Sequence, residues 1–125
     1  KVRVYGGPLW TLQATLDEAT DWISAVALAD GVLAAGGLDG KVRVYGGPNW
    51  ALQATLDEAT GWVSAVALRG GVLAAGGADK TVRVYGGPRW SLQARLQVEG
   101  SITAVTLADG ALAAGSEDGK VRVYG

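Results

Sequence analysis

The sequence predicts an all-β fold of short antiparallel strands, and two observations carry that prediction. The motif VRVYGGP occurs at 2–8, 42–48 and 82–88, and VRVYG returns at 121–125, so the period is 40, 40 and then 39 residues. Gly or Pro also recurs every eight to ten residues, which leaves no segment long enough for a stable helix. The 20 glycines suit a chain with many tight turns.

The repeats organise residues 1–125 as a single repeat domain. Its copies span 1–40, 41–80 and 81–119, and an additional strand follows at 120–125. The first two copies differ at only eight positions, whereas the third is one residue shorter and more divergent. Such near-identity indicates either recent duplication or deliberate design.

Each copy contains four predicted strands separated by turn residues. In the set of four that begins at Trp62, the strands are 62–68, 72–77, 81–85 and 90–96. The first two are apolar on both faces, as strands sandwiched between sheets are, whereas the last two alternate apolar and polar residues. This polarity gradient predicts a β-propeller of four-stranded antiparallel blades, with complete blades at 22–56 and 62–96.

Three blades' worth of chain cannot close a propeller ring, because known rings use about four to eight blades. An open arc leaves two apolar blade faces in water, which favours association. We therefore expect a homodimer with six blades or a homotrimer with nine, or else the remaining blades of a longer chain. The strand KVRVY at 1–5 and its copy at 120–124 compete for the third place in the joined blade, so one is expected to be displaced.

The segment WVSAVALRGGVLAAGGADKTVRVYGG resembles the WD-repeat pattern, and the match recurs through the whole chain. The resemblance implies a propeller fold and a role in protein interaction. The turn aspartate of the family aligns with Asp39, Asp79 and Asp118. These aspartates are expected to hydrogen-bond their own turn backbone.

Two departures from that family pattern stand out. Tyr-Gly replaces the family's Trp-Asp pair, at 45–46, 85–86 and 124–125. The family's Gly-His dipeptide is missing, since Glu18-Ala19 and Glu58-Ala59 occupy its place. The resemblance therefore implies that the family's Asp–His–Ser–Trp hydrogen-bond network does not form.

The composition argues against several classes of function. The chain has no His and no Cys, which removes the usual general base near neutral pH and any thiolate nucleophile or Cys-type zinc site. A net charge of −1 offers no basic surface for nucleic acid, and no apolar run approaches the ~20 residues of a membrane helix. We expect no catalytic site, cofactor, metal, nucleic-acid partner or membrane partner.

The candidate binding surface lies where the inner strands begin. Trp22 and Trp62 occupy this position, whereas the third copy is read as having Ile102 there. Exposed Trp would be a binding hot spot, and the alternative is packing against a neighbouring loop. The adjacent carboxylates form either an acidic rim or an ordinary solvated loop; they are Asp17, Glu18, Asp57 and Glu58.

A second tryptophan set, Trp10, Trp50 and Trp90, follows Pro at the start of the outer strand. These residues either stack on sugars, as in lectin propellers, or pack between blades. The leading functional hypothesis is a non-catalytic interaction scaffold, or a natural or designed model of propeller assembly by blade duplication. The alternative is a lectin-like carbohydrate-binding propeller.

Overall fold

A computed structural model describes all 125 residues, and every regular element in it is a β-strand. No helix is present, and so none that is long and apolar enough to cross a bilayer. Each hairpin reverses at Gly or at a residue with positive φ, such as Asp30 (φ 53°) followed by Gly31 (φ 75°). The all-β class and the antiparallel four-stranded sheets predicted from the sequence are confirmed.

Two sheets have four strands each, paired in the order of the chain. The first sheet consists of β3 (Ile23–Ala29), β4 (Val32–Gly37), β5 (Val42–Gly46) and β6 (Ala51–Leu56). The second consists of β7 (Val63–Arg69), β8 (Val72–Gly77), β9 (Thr81–Gly86) and β10 (Ser91–Gln97). The strand bounds lie within about one residue of those predicted, because Gly and Pro mark the turns on both sides.

Two partial sheets flank these. At the start of the chain, β1 (Val2–Gly6) pairs with β2 (Thr11–Leu16). At its end, β11 (Ile102–Ala108), β12 (Ala111–Ser116) and β13 (Val121–Tyr124) form a three-stranded sheet. Within one chain the first and the last copy of VRVY, in β1 and β13, are therefore both paired. The expected competition between them would arise only where two chains meet.

The sheets stack face to face through their inner strands, with β7 packed between β3 and β11. Glycine makes the close approach possible: a Cβ on Gly36 would lie 2.5 Å from Cγ1 of Val63, and one on Gly76 would lie 2.6 Å from Cγ2 of Ile102. Ser24 Oγ donates a hydrogen bond to the Val63 carbonyl, and Ser64 Oγ donates one to the Ile102 carbonyl. The same two contacts thus recur at each complete interface.

Three apolar clusters fill the spaces between successive sheets. In the first cluster, Val2 and Val4 of β1 pack with Tyr45 of β5. In the second, Val42 and Val44 of β5 pack with Tyr85 of β9. Tyr45 and Tyr85 are accordingly buried, whereas Tyr5, with no sheet before it, is 51 % exposed. The faces at the two ends of the stack remain open.

Candidate functional site: the loops at the start of the inner strands

Each of the two four-stranded sheets, or blades, carries a buried aspartate–arginine pair beneath the loop that leads into an inner strand. Arg43 Nη1 lies 2.8 Å from Asp39 Oδ2, and Arg83 Nη1 lies 2.6 Å from Asp79 Oδ2. These four side chains are less than 10 % exposed. In the last sheet the pair of Asp118 with Arg122 is more open to solvent.

The turn aspartates also hold the backbone around them. Asp39 Oδ1 accepts a hydrogen bond from the Lys41 amide at 3.1 Å, and its Oδ2 accepts one from the Thr20 amide at 3.2 Å. Burial alone would raise the pKa of Asp39, but hydrogen bonds from Arg43 and from these amides outweigh it and lower that pKa to about 2. The pKa of Asp79 is lowered in the same way. Each aspartate thus fastens the inter-blade loop to its own turn as a charged anchor.

Glu18 and Glu58 have a structural role that the sequence analysis did not anticipate. Tyr45 Oη donates to Glu18 Oε1 at 2.9 Å, and Tyr85 Oη donates to Glu58 Oε1 at 3.0 Å. Burial, followed by this bond, raises the pKa of Tyr45 to about 12 and also raises that of Tyr85. This glutamate–tyrosine bond joins the loop after the outer strand of one sheet to the third strand of the next.

Trp22 and Trp62 have a backbone held by hydrogen bonds and a side chain that is exposed to solvent. The carbonyls of Trp22 and Trp62 accept hydrogen bonds from Leu38 and Ala78 at 2.9 and 3.0 Å. Their side chains nevertheless stand 78 % and 55 % exposed. Because β3 and β7 pack side by side, both rings stand at the same end of neighbouring inner strands. Rigid, exposed aromatic rings of this kind offer contact area at low entropic cost.

The alignment of Ile102 with Trp22 and Trp62 is wrong. The residue at their position in the third copy is Ser101, whose carbonyl accepts a hydrogen bond from the Glu117 amide at 2.9 Å. Ile102 instead contacts the glycine of the preceding blade, as Val63 does. The one-residue deletion in the third copy lies in the loop before this strand. The residues that directly precede the three inner strands, which we call the rim, are therefore Trp22, Trp62 and Ser101.

The carboxylates beside this rim do not form a metal-binding group. Asp17 and Asp57 are exposed in the loops that follow the outer strands. No three His, Cys, Asp or Glu side chains come together anywhere in the chain. Glu18 and Glu58 remain solvent-accessible beyond their tyrosine bonds, so the loops that lead to Trp22 and Trp62 present an acidic surface.

The outer tryptophans divide into two kinds. Trp50 and Trp90 are half-buried against the apolar clusters between sheets, which matches the packing interpretation. Trp10 is 74 % exposed, although its turn has the same conformation. Sugar binding through this set stays a prediction, and two of its three members are occupied by packing.

The comparison with protein families bears on the whole arrangement. The family model for the "WD domain, G-beta repeat" (WD40) matches residues 50–86 and 90–125, which together make up more than half of the chain. No curated protein sequence matches the chain.

Proposed function

Because the chain belongs to the family of WD domain, G-beta repeats, we propose that it serves as a non-catalytic protein-interaction scaffold that binds its partner through the rim of Trp22 and Trp62. Repeats of this family generally mediate contacts between proteins. The observation that carries the proposal is the exposure of two large indole rings on a backbone held by hydrogen bonds. Exposed Trp on a rigid frame is the typical energetic centre of a protein interface.

The chemistry of the rim favours a partner segment that is both apolar and cationic. Asp17, Asp21 and Asp57 are exposed in the loops around the rings. An apolar or aromatic side chain would pack on the indoles, while Lys or Arg would complement the carboxylates. We expect micromolar affinity for a single short peptide, since the rim is small and only two rings contribute.

Selection of displayed peptides on the immobilised chain tests this function. We expect enriched peptides to combine aromatic and cationic residues, and to lose binding when Trp22 and Trp62 are both changed to Ser. Leu9→Asn is the matched control, because Leu9 is 83 % exposed outside the rim. Enrichment that survives the double substitution, or binding of a glycan panel in place of peptides, would contradict the proposal.

We further propose that copies of the chain associate to complete the ring, as a homodimer with six blades or a homotrimer with nine. Both end faces of the stack expose apolar side chains. Val121 and Val123 are 72 % exposed at one end, and Val26 and Leu28 are 56 % and 61 % exposed at the other. Their counterparts inside the stack are covered by a neighbouring sheet, which is the state that association would restore.

A further inference from the structure

A cavity of about 520 Å³ lies at the last interface between sheets, beside the open edge of β13. Val84, Leu96, Leu107, Leu112 and Tyr124 are among the side chains that line it. At the equivalent place one blade earlier, a groove of about 250 Å³ contains Trp90 in its wall. The cavity and the groove are lined by corresponding residues of successive repeats, but only the groove contains a tryptophan.

The correspondence follows the repeat. Ala29, Asp30 and Val32 flank Trp90 from the preceding blade, and Leu68, Arg69 and Gly70 flank it from its own blade. The residues that correspond to these in the cavity are Arg69, Gly70, Val72, Leu107, Ala108 and Asp109. No tryptophan is among the residues that line the cavity. The cavity therefore has the surroundings that Trp90 has one blade earlier, but no indole ring fills it.

At the other end of the chain, the indole ring of Trp10 does not pack against a preceding blade. The turns at Trp10, Trp50 and Trp90 share one conformation, with φ of 54° at each Trp. Trp10 N donates to the Gly7 carbonyl at 3.3 Å, as Trp90 N does to Gly87. Trp50 and Trp90 rest on a preceding blade, whereas Trp10 is 74 % exposed. The backbone of Trp10 thus already has the conformation of its two packed counterparts.

Polar groups show the same complementarity. Arg3 is exposed and makes no ion pair, whereas its counterparts Arg43 and Arg83 pair with buried aspartates. At the far end of the stack, Thr103 is exposed at the position where Ser24 and Ser64 donate to the following blade. Each end therefore lacks the partner that the opposite end presents.

Resting on the ring closure proposed above, we propose that the β1–β2 hairpin of a second copy replaces β13 beside β12 and inserts its Trp10 into this cavity. Residues 1–6 and 120–125 have the same sequence, KVRVYG, so β1 can form the same ladder with β12. The hairpin also brings the fourth strand and the indole, which β13 cannot supply. Its Arg3 then takes the place of Arg122 beside Asp118.

The present attachment of β13 is compatible with its replacement. β13 pairs with β12 at four positions, whereas β5 and β9 each pair at five with the strand before them. Its valines face solvent, and no strand covers its outer edge. Exchange of identical strands costs no net backbone hydrogen bond, so the burial of Tyr5 and Trp10 favours the exchanged state.

Substitution of Trp10 tests the cavity. We expect Trp10→Ala to weaken self-association about 30-fold or more, as measured by sedimentation equilibrium, because a buried Trp anchor is lost. Leu9→Asn is the matched control: Leu9 is exposed in the same turn, and its counterparts are Asn49 and Arg89. An assembly that tolerates Trp10→Ala as well as it tolerates Leu9→Asn overturns the proposal while leaving ring closure standing.

Engineered disulfides test the strand exchange, and the chain has no cysteine to interfere. Ala113 pairs with Val123 in the ladder, so Ala113→Cys with Val123→Cys ties β13 in place and should prevent assembly until a reductant is added. Ala113→Cys with Val4→Cys should instead cross-link separate copies. Assembly of the oxidised first variant would overturn the exchange, and a monomeric parent chain would overturn ring closure itself.

Discussion

Breaking the buried Asp79–Arg83 pair should cost more stability than breaking the more exposed pairs of Asp118 with Arg122 or Asp109 with Arg69. Asp79→Asn keeps the shape of the side chain but removes its charge, leaving a guanidinium that is 9 % exposed without a counter-ion. Arg83 Nε already has no hydrogen-bond partner, so no alternative acceptor is available at that atom. Loss of one member of a buried ion pair costs about 3 kcal/mol or more. In urea this corresponds to a midpoint lower by about 1.5 M.

Two further variants make the test specific, with unfolding followed by circular dichroism at one fixed protein concentration. In the unassembled chain, kept so by the disulfide of Ala113→Cys with Val123→Cys, Asp118→Asn removes the equivalent charge where the partners are 18 % and 26 % exposed. A clearly smaller loss is expected there. Asp79→Asn combined with Arg83→Met should recover most of the loss, because an apolar pair leaves no buried charge. Equal losses at Asp79 and Asp118 would refute the reasoning from burial.

The remaining predictions concern acid, alkali and packing. The folded pKa of Asp39, about 2, lies below its ordinary value, so its contribution to stability is complete above pH ~4 and is lost as pH falls through about 2. Between these pH values the free energy of unfolding should therefore fall by at most about 2 kcal/mol, and by less after solvent screening. In Asp39→Asn the urea midpoint should depend less on pH over that range. Absorbance at 295 nm should show a Tyr45 phenol that ionises near pH 12, and Glu18→Gln should move it toward lower pH; an unchanged titration would contradict the hydrogen bond. Gly76→Ala should destabilise the chain by about 2 kcal/mol, since its Cβ would meet the next blade at 2.6 Å, whereas Gly115→Ala should spare the unassembled chain because the nearest atom is 3.8 Å away; equal urea midpoints for the two variants would argue against that packing.

The strand pattern was predictable because it depends on local chemistry. Gly and Pro end each strand, and the change from apolar strands to alternating ones orders them from inside to outside. The pairs of Asp39 with Arg43 and Asp79 with Arg83 also join a turn to the strand that follows it, only four residues along the chain. Information of this range can be read from a sequence without knowing how the blades stack.

The bond from Tyr45 to Glu18 was not predictable in that way. Its partners are 27 residues apart and belong to consecutive blades, so their contact depends on how the blades stack. The position of Ser101 was missed for a related reason, because a deletion in a loop can be aligned in several ways until the backbone hydrogen bonds are known. The exposure of Trp10 likewise appears only when its turn is compared with those of its two half-buried counterparts.

The mass of the chain in solution tests the account most directly, because open apolar end faces are the reason for expecting a closed ring. Light scattering at micromolar concentration should give two or three times the 12.7 kDa of one chain, with two corresponding to six blades and three to nine. A stable, folded species of 12.7 kDa would contradict ring closure and the exchange of the hairpin with it.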